Sequence, residues 1–448
     1  MFKQEVALRL LKLFNAVLLT IPFAGCWLVY YAERTAAPFY NMGNWLVIIL
    51  FFALYAIFGR VYGGFWISLN RISESVYSQA LALCIANGIM YAVICLLTKH
   101  LPNILPLLGA FVAQLMLSTV WSFLAHIAYY LMFPATKTII VYDERQGMEK
   151  LIREYGFEKK FTVIKTLKVE SCIENLDLLK NAQTVFVSGV HSHERNIILK
   201  YCVEHNIMMY LVPRIGDVIM SGAQQMHMFH LPMLRVGRYN PSPWHTIAKR
   251  TFDIVSAGAL FIVISPLMLV TAIAIKLTDG GPIFYKQRRL TIDGKEFDVL
   301  KFRSMRVDAE KDGVARLSTG DKDDRITPVG HFIRKVRIDE LPQLLNIIGG
   351  SMSVVGPRPE RPEIASQYEK QMPEFKLRLQ AKAGLTGYAQ VYGKYNTTPY
   401  DKLQMDLMYI SNPSFWEDLR IIFATIKILF VPESTEGVAE GQKTAMGE

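Results

Sequence analysis

Charge is nearly missing from the first third of this chain. Its 448 residues include 49 Lys and Arg and 39 Asp and Glu, yet positions 1–136 hold only ten of these. Such poverty of charge excludes a disordered or ordinary water-facing segment there, whereas the remainder has the charge density of a soluble protein. Cysteine is also scarce. Cys26, Cys84 and Cys95 fall in apolar runs and Cys172 and Cys202 stand alone, so neither a disulfide framework nor a thiolate zinc site is encoded. No GxxxxGK[ST] loop or kinase signature set occurs, which argues against a membrane-bound ATPase or kinase. The net charge of +10 lacks any accompanying nucleic-acid motif. It is therefore read as directed at membrane and phosphate, with no nucleic acid as partner.

What the first third does contain is four apolar runs, near 13–31, 44–58, 79–97 and 105–133. Each approaches the roughly 20 residues needed to cross a hydrocarbon core. Lys3, Arg9 and Lys12 precede the first run, Arg60 and Arg71 separate the second from the third, and Lys137 follows the fourth. The opposite loops hold only Arg34, beside Glu33, and Lys99, so the expected topology is four crossings with both ends cytoplasmic.

From Lys137 short apolar strands alternate with helical stretches, including Thr138-Ile-Ile-Val-Tyr142 and Thr184-Val-Phe-Val-Ser188. That alternation predicts a parallel, doubly wound α/β domain over 137–238. Its first turn, Asp143-Glu-Arg-Gln-Gly147, is acidic with a single glycine, so it lacks the dinucleotide fingerprint. His191-x-His193 and His227-x-x-His230 have no thiolate or carboxylate at ligand spacing and are read as loop histidines. Asn240-Pro-Ser-Pro-Trp244 marks a linker, placed at 239–250.

A fifth apolar run, 254–275, is long enough to span, but basic residues flank both ends and Ser265-Pro266 interrupts its centre. Proline removes a helical hydrogen bond, and a serine hydroxyl can satisfy a freed carbonyl. The expectation is a re-entrant helix over 251–278 that returns to the cytoplasmic face.

The next segment is dense in charge. Lys301-Phe-Arg-Ser-Met305 places Lys301 and Arg303 on one face of a predicted strand. Asp324-Arg-Ile-Thr327 precedes a stretch carrying Arg334, Lys335 and Arg337. Ile338-Asp-Glu-Leu-Pro-Gln343 reads as the start of a helix, with Asp339 and Glu340 at its positive pole. In Val355-Gly-Pro-Arg-Pro-Glu360 two prolines stiffen the backbone around Arg358, suiting it to phosphate binding. An acid pair, a basic cluster and a membrane-embedded neighbour together suggest phosphoryl transfer at a membrane face. One carboxylate would attack phosphorus and another would hold Mg²⁺.

Lys249-Arg-x-Phe-Asp253, Gly281-Pro-Ile-Phe284, Lys301-Phe-Arg-Ser-Met305, Asp339-Glu-Leu-Pro-Gln343, Gly356-Pro-Arg-Pro-Glu360 and Ala383-Gly-Leu-Thr-Gly387 occur together and in order. This set resembles the bacterial sugar transferase family, the polyprenyl-phosphate hexose-1-phosphate transferases, from Trp244 to about Phe430. The preceding helices and degenerate Rossmann-like domain resemble its long members, which start exopolysaccharide, capsule or O-antigen assembly. The resemblance implies transfer of a sugar-1-phosphate from a UDP-hexose to undecaprenyl phosphate, with release of UMP and a need for Mg²⁺. It also implies Asp339 as nucleophile, Glu340 as Mg²⁺ ligand, and Arg334, Arg358 and Lys301 as phosphate-site residues. Ser265-Pro266 would be the family's helix break. Val336-Arg337 stands where relatives often have Thr-Ser, adding charge beside the acid pair, and Gly387-Tyr388 replaces a frequent Gly-Trp, leaving the sugar open.

The expected architecture is therefore α/β with membrane helices: a four-helix transmembrane bundle (1–136), a Rossmann-like domain, a re-entrant helix, and an α+β catalytic domain (279–431) before a disordered tail (432–448). The protein would sit in the bacterial cytoplasmic membrane as a homodimer. The competing expectation is a non-catalytic membrane scaffold or regulator that retains the transferase fold. The amphipathic stretch 416–430 either rests on the membrane surface or packs in the core.

Overall fold

The computed structural model describes residues 2–39, 42–68, 70–306, 325–393 and 397–429. Asp324 and the tail from 432 lie outside the described residues, as does the end of the predicted stretch 416–430. The chain divides into two compact units, Met1–Pro213 and Arg214–Glu448.

The first unit begins with four helices, α1 (Phe2–Cys26), α2 (Met42–Val61), α3 (Ile72–Thr98) and α4 (Leu105–Met132). All four are long and apolar enough to cross a membrane by length and composition. α1 packs on α2 and α4, and α3 on α2 and α4. Buried amides tie these helices together. Asn15 donates to Gln79 at 3.3 Å and accepts from Tyr55 at 2.7 Å, while Ser118 donates to Gln79 at 2.9 Å. Asn87 donates to Gln114 at 2.8 Å, and Gln114 to the Leu19 carbonyl at 2.9 Å. In an apolar surrounding such groups must find partners on neighbouring helices, so they pin one register.

β1 (Thr136–Tyr142), α5 (Met148–Glu154), β2 (Phe161–Lys168), α6 (Val169–Glu174), β3 (Thr184–Ser188), α7 (Ser192–Glu204) and β4 (Met208–Leu211) follow. The strands form an all-parallel sheet in the order β2-β1-β3-β4. Ile139, Ile140 and Val141 are buried in succession, as expected of a central strand covered on both faces.

The second unit opens with α8 (Ile215–Ser221) and the hairpin β5 (Gln224–Met228) and β6 (Leu231–Arg235). The sequence reading joined these to the preceding domain. Ile215 and Val218 are instead buried against Leu403 and Leu407 of the second unit. α9 (Pro243–Asp279) begins inside the stretch read as a linker. The physical reason is a local cap: Ser242 Oγ accepts from His245 N at 3.2 Å, and Pro243 occupies the first helical position. The helix runs continuously through Pro266.

β7 (Phe284–Leu290) and β8 (Glu296–Phe302) make an antiparallel hairpin. Next come α10 (Pro328–Lys335), α11 (Gln343–Gly349), β9 (Ser353–Val355), α12 (Pro362–Gln371) and β10 (Gly384–Thr386), with β10 pairing parallel to β9. α13 (Tyr388–Tyr392), α14 (Pro399–Ser411) and α15 (Phe415–Leu429) complete the unit. α15 packs in the core: Ile421 is fully buried and Asp418 and Ala424 nearly so, while Trp416 stays exposed.

α9 is fastened to this unit along its length. Lys249 Nζ reaches Asp418 at 2.6 Å and Tyr409 OH at 3.0 Å. Arg250 donates to the Ile347 and Ile348 carbonyls at 2.6 and 2.8 Å, capping the end of α11. Asp253, buried, accepts from Ser353 Oγ and Val354 N. Ala257, Met268 and Ile275 then continue one buried stripe against Val299, Phe302, Ile333 and Ile347. The opposite face, including Ile262, Val263, Leu269 and Val270, is apolar and exposed.

Candidate active site

The acid pair does not open a helix. Asp339 and Glu340 occupy a single 3₁₀ turn, Ile338–Glu340, and α11 starts only at Gln343 after Pro342. The turn is aimed by Arg337, which stands immediately before it, two residues beyond α10, with φ +57°, a left-handed conformation usually left to glycine. A non-glycine residue held there stores strain of order 1 kcal/mol, a feature that clusters at functional sites.

Glu340 receives two cations through one oxygen. Lys301 Nζ and Arg358 Nη2 each lie 3.1 Å from Glu340 Oε1. β8 delivers Lys301, and the loop after β9 delivers Arg358. The carboxylate of Asp339, half-buried beside them, accepts no hydrogen bond among the described residues. The two acids are consequently driven apart. Burial, then the Glu340 charge, push Asp339 up to about 6 against Lys301, Arg334 and Arg358. Burial would raise Glu340 too, but Arg358, Lys301 and Arg337 hold it well below the usual carboxylate range. Neighbouring carboxyls with opposed shifts have divided roles. One is a permanent anion clamped by cations, and the other an uncommitted carboxylate still ionised at neutral pH.

The Arg358 loop is rigid because its polar backbone atoms are used. Gly356 N–H donates to the Thr386 carbonyl at 2.9 Å, and the Pro357 carbonyl accepts from Gly384 N at 2.9 Å. The Arg358 carbonyl accepts from Arg378 Nη2 at 2.8 Å, the Pro359 carbonyl from Arg289 Nη1 at 3.0 Å, and the Glu360 carbonyl from Leu290 N at 2.9 Å. A Cβ on Gly356 would fall 2.2 Å from the Lys382 carbonyl, and one on Gly387 would fall 2.1 Å from the Gly356 carbonyl. The glycines of both motifs are thus contact surfaces of one backbone cluster.

The remaining expected site residues are dispersed. Arg334 and Arg337 lie close enough to influence the acid pair electrostatically. Arg303 does not join the cluster: it is buried in an ion pair with Asp279 at the end of α9. β8 stops at Phe302, so the alternation that would have placed Arg303 with Lys301 does not extend to it. Ser265 and Pro266 stay within α9. Arg289, Arg378 and Asp406 carry interactions although they stand in none of the motifs, whereas Lys249 opens the first of them. A separate cleft of about 1140 Å³ lies near Arg250, Asp253 and Tyr409, and neither Asp339 nor Glu340 lines it.

Among the described residues no three His, Cys, Asp or Glu side chains are grouped as metal ligands, so a metal here would need oxygens from the substrate as well. Magnesium is commonly held by one or two carboxylates together with substrate phosphates. Glu340 meets both of its cations through Oε1, so Oε2 is the oxygen that fits this role.

Comparison with known proteins places this geometry in context. The bacterial sugar transferase family matches residues 244–432. The UDP-N-acetylgalactosamine-undecaprenyl-phosphate N-acetylgalactosaminephosphotransferase of Aeromonas hydrophila is 36% identical over 234 residues, covering 52% of this chain and 54% of that protein. A UDP-glucose:undecaprenyl-phosphate glucose-1-phosphate transferase of Xanthomonas campestris pv. campestris is 36% identical over 285 residues, 61% of this chain and 56% of the relative. One of the same name from Caulobacter vibrioides is 39% identical over 206 residues, 45% of this chain and 76% of the relative. The chain thus spans little more than half the length of the first two relatives.

Proposed function

The chain belongs to the bacterial sugar transferase family, and on that premise we propose that it moves a hexose-1-phosphate from a UDP-hexose to undecaprenyl phosphate. The observation that carries this reading is the Lys301–Glu340–Arg358 clamp beside an uncommitted Asp339.

The reaction would take two displacements. A carboxylate oxygen of Asp339 attacks the sugar-bearing phosphorus, the bond to the bridging oxygen breaks, and UMP leaves with the electron pair. A phosphate oxygen of undecaprenyl phosphate then attacks the same phosphorus and expels the carboxylate. A covalent intermediate splits one difficult transfer into two. Arg358, rigidly mounted, and Lys301 orient the phosphoryl oxygens and offset their charge. Glu340, kept anionic, holds both cations in place and offers Oε2 to Mg²⁺, which when bound supplies charge neutralisation to the diphosphate.

The membrane setting follows the same logic. α1–α4 would cross the bilayer with the N-terminus cytoplasmic, as Arg9, Lys12, Arg60 and Arg71 favour. α9 would enter and leave by the cytoplasmic face. In support, its two ends and the stripe between them bind one polar body, while its other face is apolar. UDP-sugar and lipid phosphate would then meet at the acid pair, as the first membrane step of exopolysaccharide, capsule or O-antigen synthesis.

The test is UMP release by membranes containing the full chain, supplied with undecaprenyl phosphate and, in turn, UDP-glucose, UDP-galactose and the two UDP-N-acetylhexosamines. One donor should give UMP and a lipid-linked diphosphosugar, and Asp339→Asn should abolish both. Release that persists in Asp339→Asn, or no release from any donor, overturns the reading.

A further inference from the structure

Behind Arg358 lies a buried charge cluster that touches no part of the acid pair. Arg378 is 5% exposed and Asp406, on α14, 1%. Their ion pair is 2.7 Å long. The same Arg378 nitrogen, Nη2, donates to the carbonyl of Arg358 at 2.8 Å, and Nη1 lies 3.7 Å from Glu360 Oε1. Arg289 mirrors this arrangement from β7. It donates to the next carbonyl, Pro359, and lies 3.8 Å from Glu360 Oε2. Two guanidinium groups thus grip successive carbonyls of the loop, with Glu360 between them.

A buried ion pair is an expensive way to fill space, because both charges lose their water and an apolar pair of similar volume often serves as well. Here the pair does something an apolar pair cannot. It supplies a directed, charge-assisted donor to the backbone carbonyl of Arg358, a residue whose side chain contacts Glu340. Burial pushes Asp406 up to about 6 against the opposing charge of Arg378. Arg378, Glu360 and Lys402 are the charged groups that act on it.

We propose that Arg378 and Asp406 are positioning residues for Arg358, holding its backbone so that its guanidinium meets the phosphoryl group through the transfer. This inference rests on the proposed transferase reading for its catalytic meaning, but not for its geometry. Angstrom-scale misplacement of a phosphate-binding group costs up to about 100-fold in rate.

The test uses the full chain and two independent measurements. In the first, Asp406→Asn and Arg378→Lys are combined with Arg358→Ala in a double-mutant cycle on the turnover number for UMP release. Each single positioning variant should lower it about 10- to 100-fold. In the Arg358→Ala background, each should change it less than about twofold, because residues acting through one group are not additive. In the second, the rate of phenylglyoxal modification at Arg358 is followed by mass spectrometry, with thermal unfolding recorded alongside. Asp406→Asn should accelerate labelling of Arg358 several-fold at a temperature well below the variant's melting point, which the unpaired Arg378 itself lowers, while arginines outside this cluster label at the wild-type rate. Additive losses in the cycle, unchanged labelling of Arg358, or faster labelling of every arginine alike overturn the inference. A wild type that releases no UMP sinks the transferase reading alone, and the labelling still decides the positioning role.

Discussion

Ser265 Oγ donates to the carbonyl of Ile262 at 2.8 Å, which is the carbonyl that Pro266 leaves without its helical donor. Proline at position 266 cannot supply the N–H that a helix directs four residues back, and the preceding serine supplies an O–H instead. In lipid the orphaned carbonyl would cost about 1–3 kcal/mol, whereas water would solvate it. Ser265→Ala should therefore lower stability by that order in lipid nanodiscs. No change there would put Ser265 in contact with water.

Both ends of α9 should lie on one side of the membrane. Arg250 and Asp279, 29 positions apart, are bonded to the same unit. A straight helix of that length would span about 43 Å. A true crossing would surround its middle with lipid, yet Ala257 and Met268 are buried against the unit. Single cysteines at Thr246 and Pro282, in a chain freed of its five native cysteines, should both react with an impermeant maleimide from the cytoplasmic side. Labelling from opposite sides would overturn the re-entrant topology.

The acid limb of the pH profile should fall near 6 rather than near 4. Asp339 must be ionised to attack, and its carboxyl is raised to about 6, so kcat/KM should decline as pH falls through that value. Arg334 opposes the rise, so Arg334→Gln should move the limb to higher pH. A limb near the ordinary carboxylate range, or a shift to lower pH in the variant, contradicts the assignment.

Replacing Glu340 with Gln should weaken the dependence on Mg²⁺, because an amide is a poorer partner than a carboxylate for a hard dication. The titration to follow is activity against free Mg²⁺ in wild type and variant. Superimposable curves would remove Glu340 from metal binding.

Lys249 and Asp418 should behave as a stability clamp. Their side chains are 17% and 3% exposed, and Tyr409 OH also donates to Asp418, at 2.8 Å. Lys249→Met should cost about 3–5 kcal/mol by stranding a buried carboxylate. Adding Asp418→Leu should recover part of that loss. A single-variant cost below about 1 kcal/mol would show the pair to be solvated in the folded protein.

The apolar first third, the alternation of strands and helices after Lys137 and the order of the charged motifs were legible from the sequence. Each is a property of composition or of local spacing, and neighbouring residues carry it whatever the rest of the chain does. The start of α9 was legible too, in Ser242-Pro243, but read as a linker because proline punctuates both. Other relationships were decided only by packing. Lys301 and Arg303 differ by two positions, yet one meets Glu340 and the other Asp279, because β8 ends between them. Arg337 adopts a left-handed backbone that its side chain does not favour, so the turn carrying Asp339 and Glu340 had no local signal. Arg378 and Asp406 lie 28 positions apart and within no shared motif, and they meet behind Arg358 only once α14 packs on the loop before β10. Pairing between distant residues depends on which faces the whole core brings together, and no window along the chain contains that information.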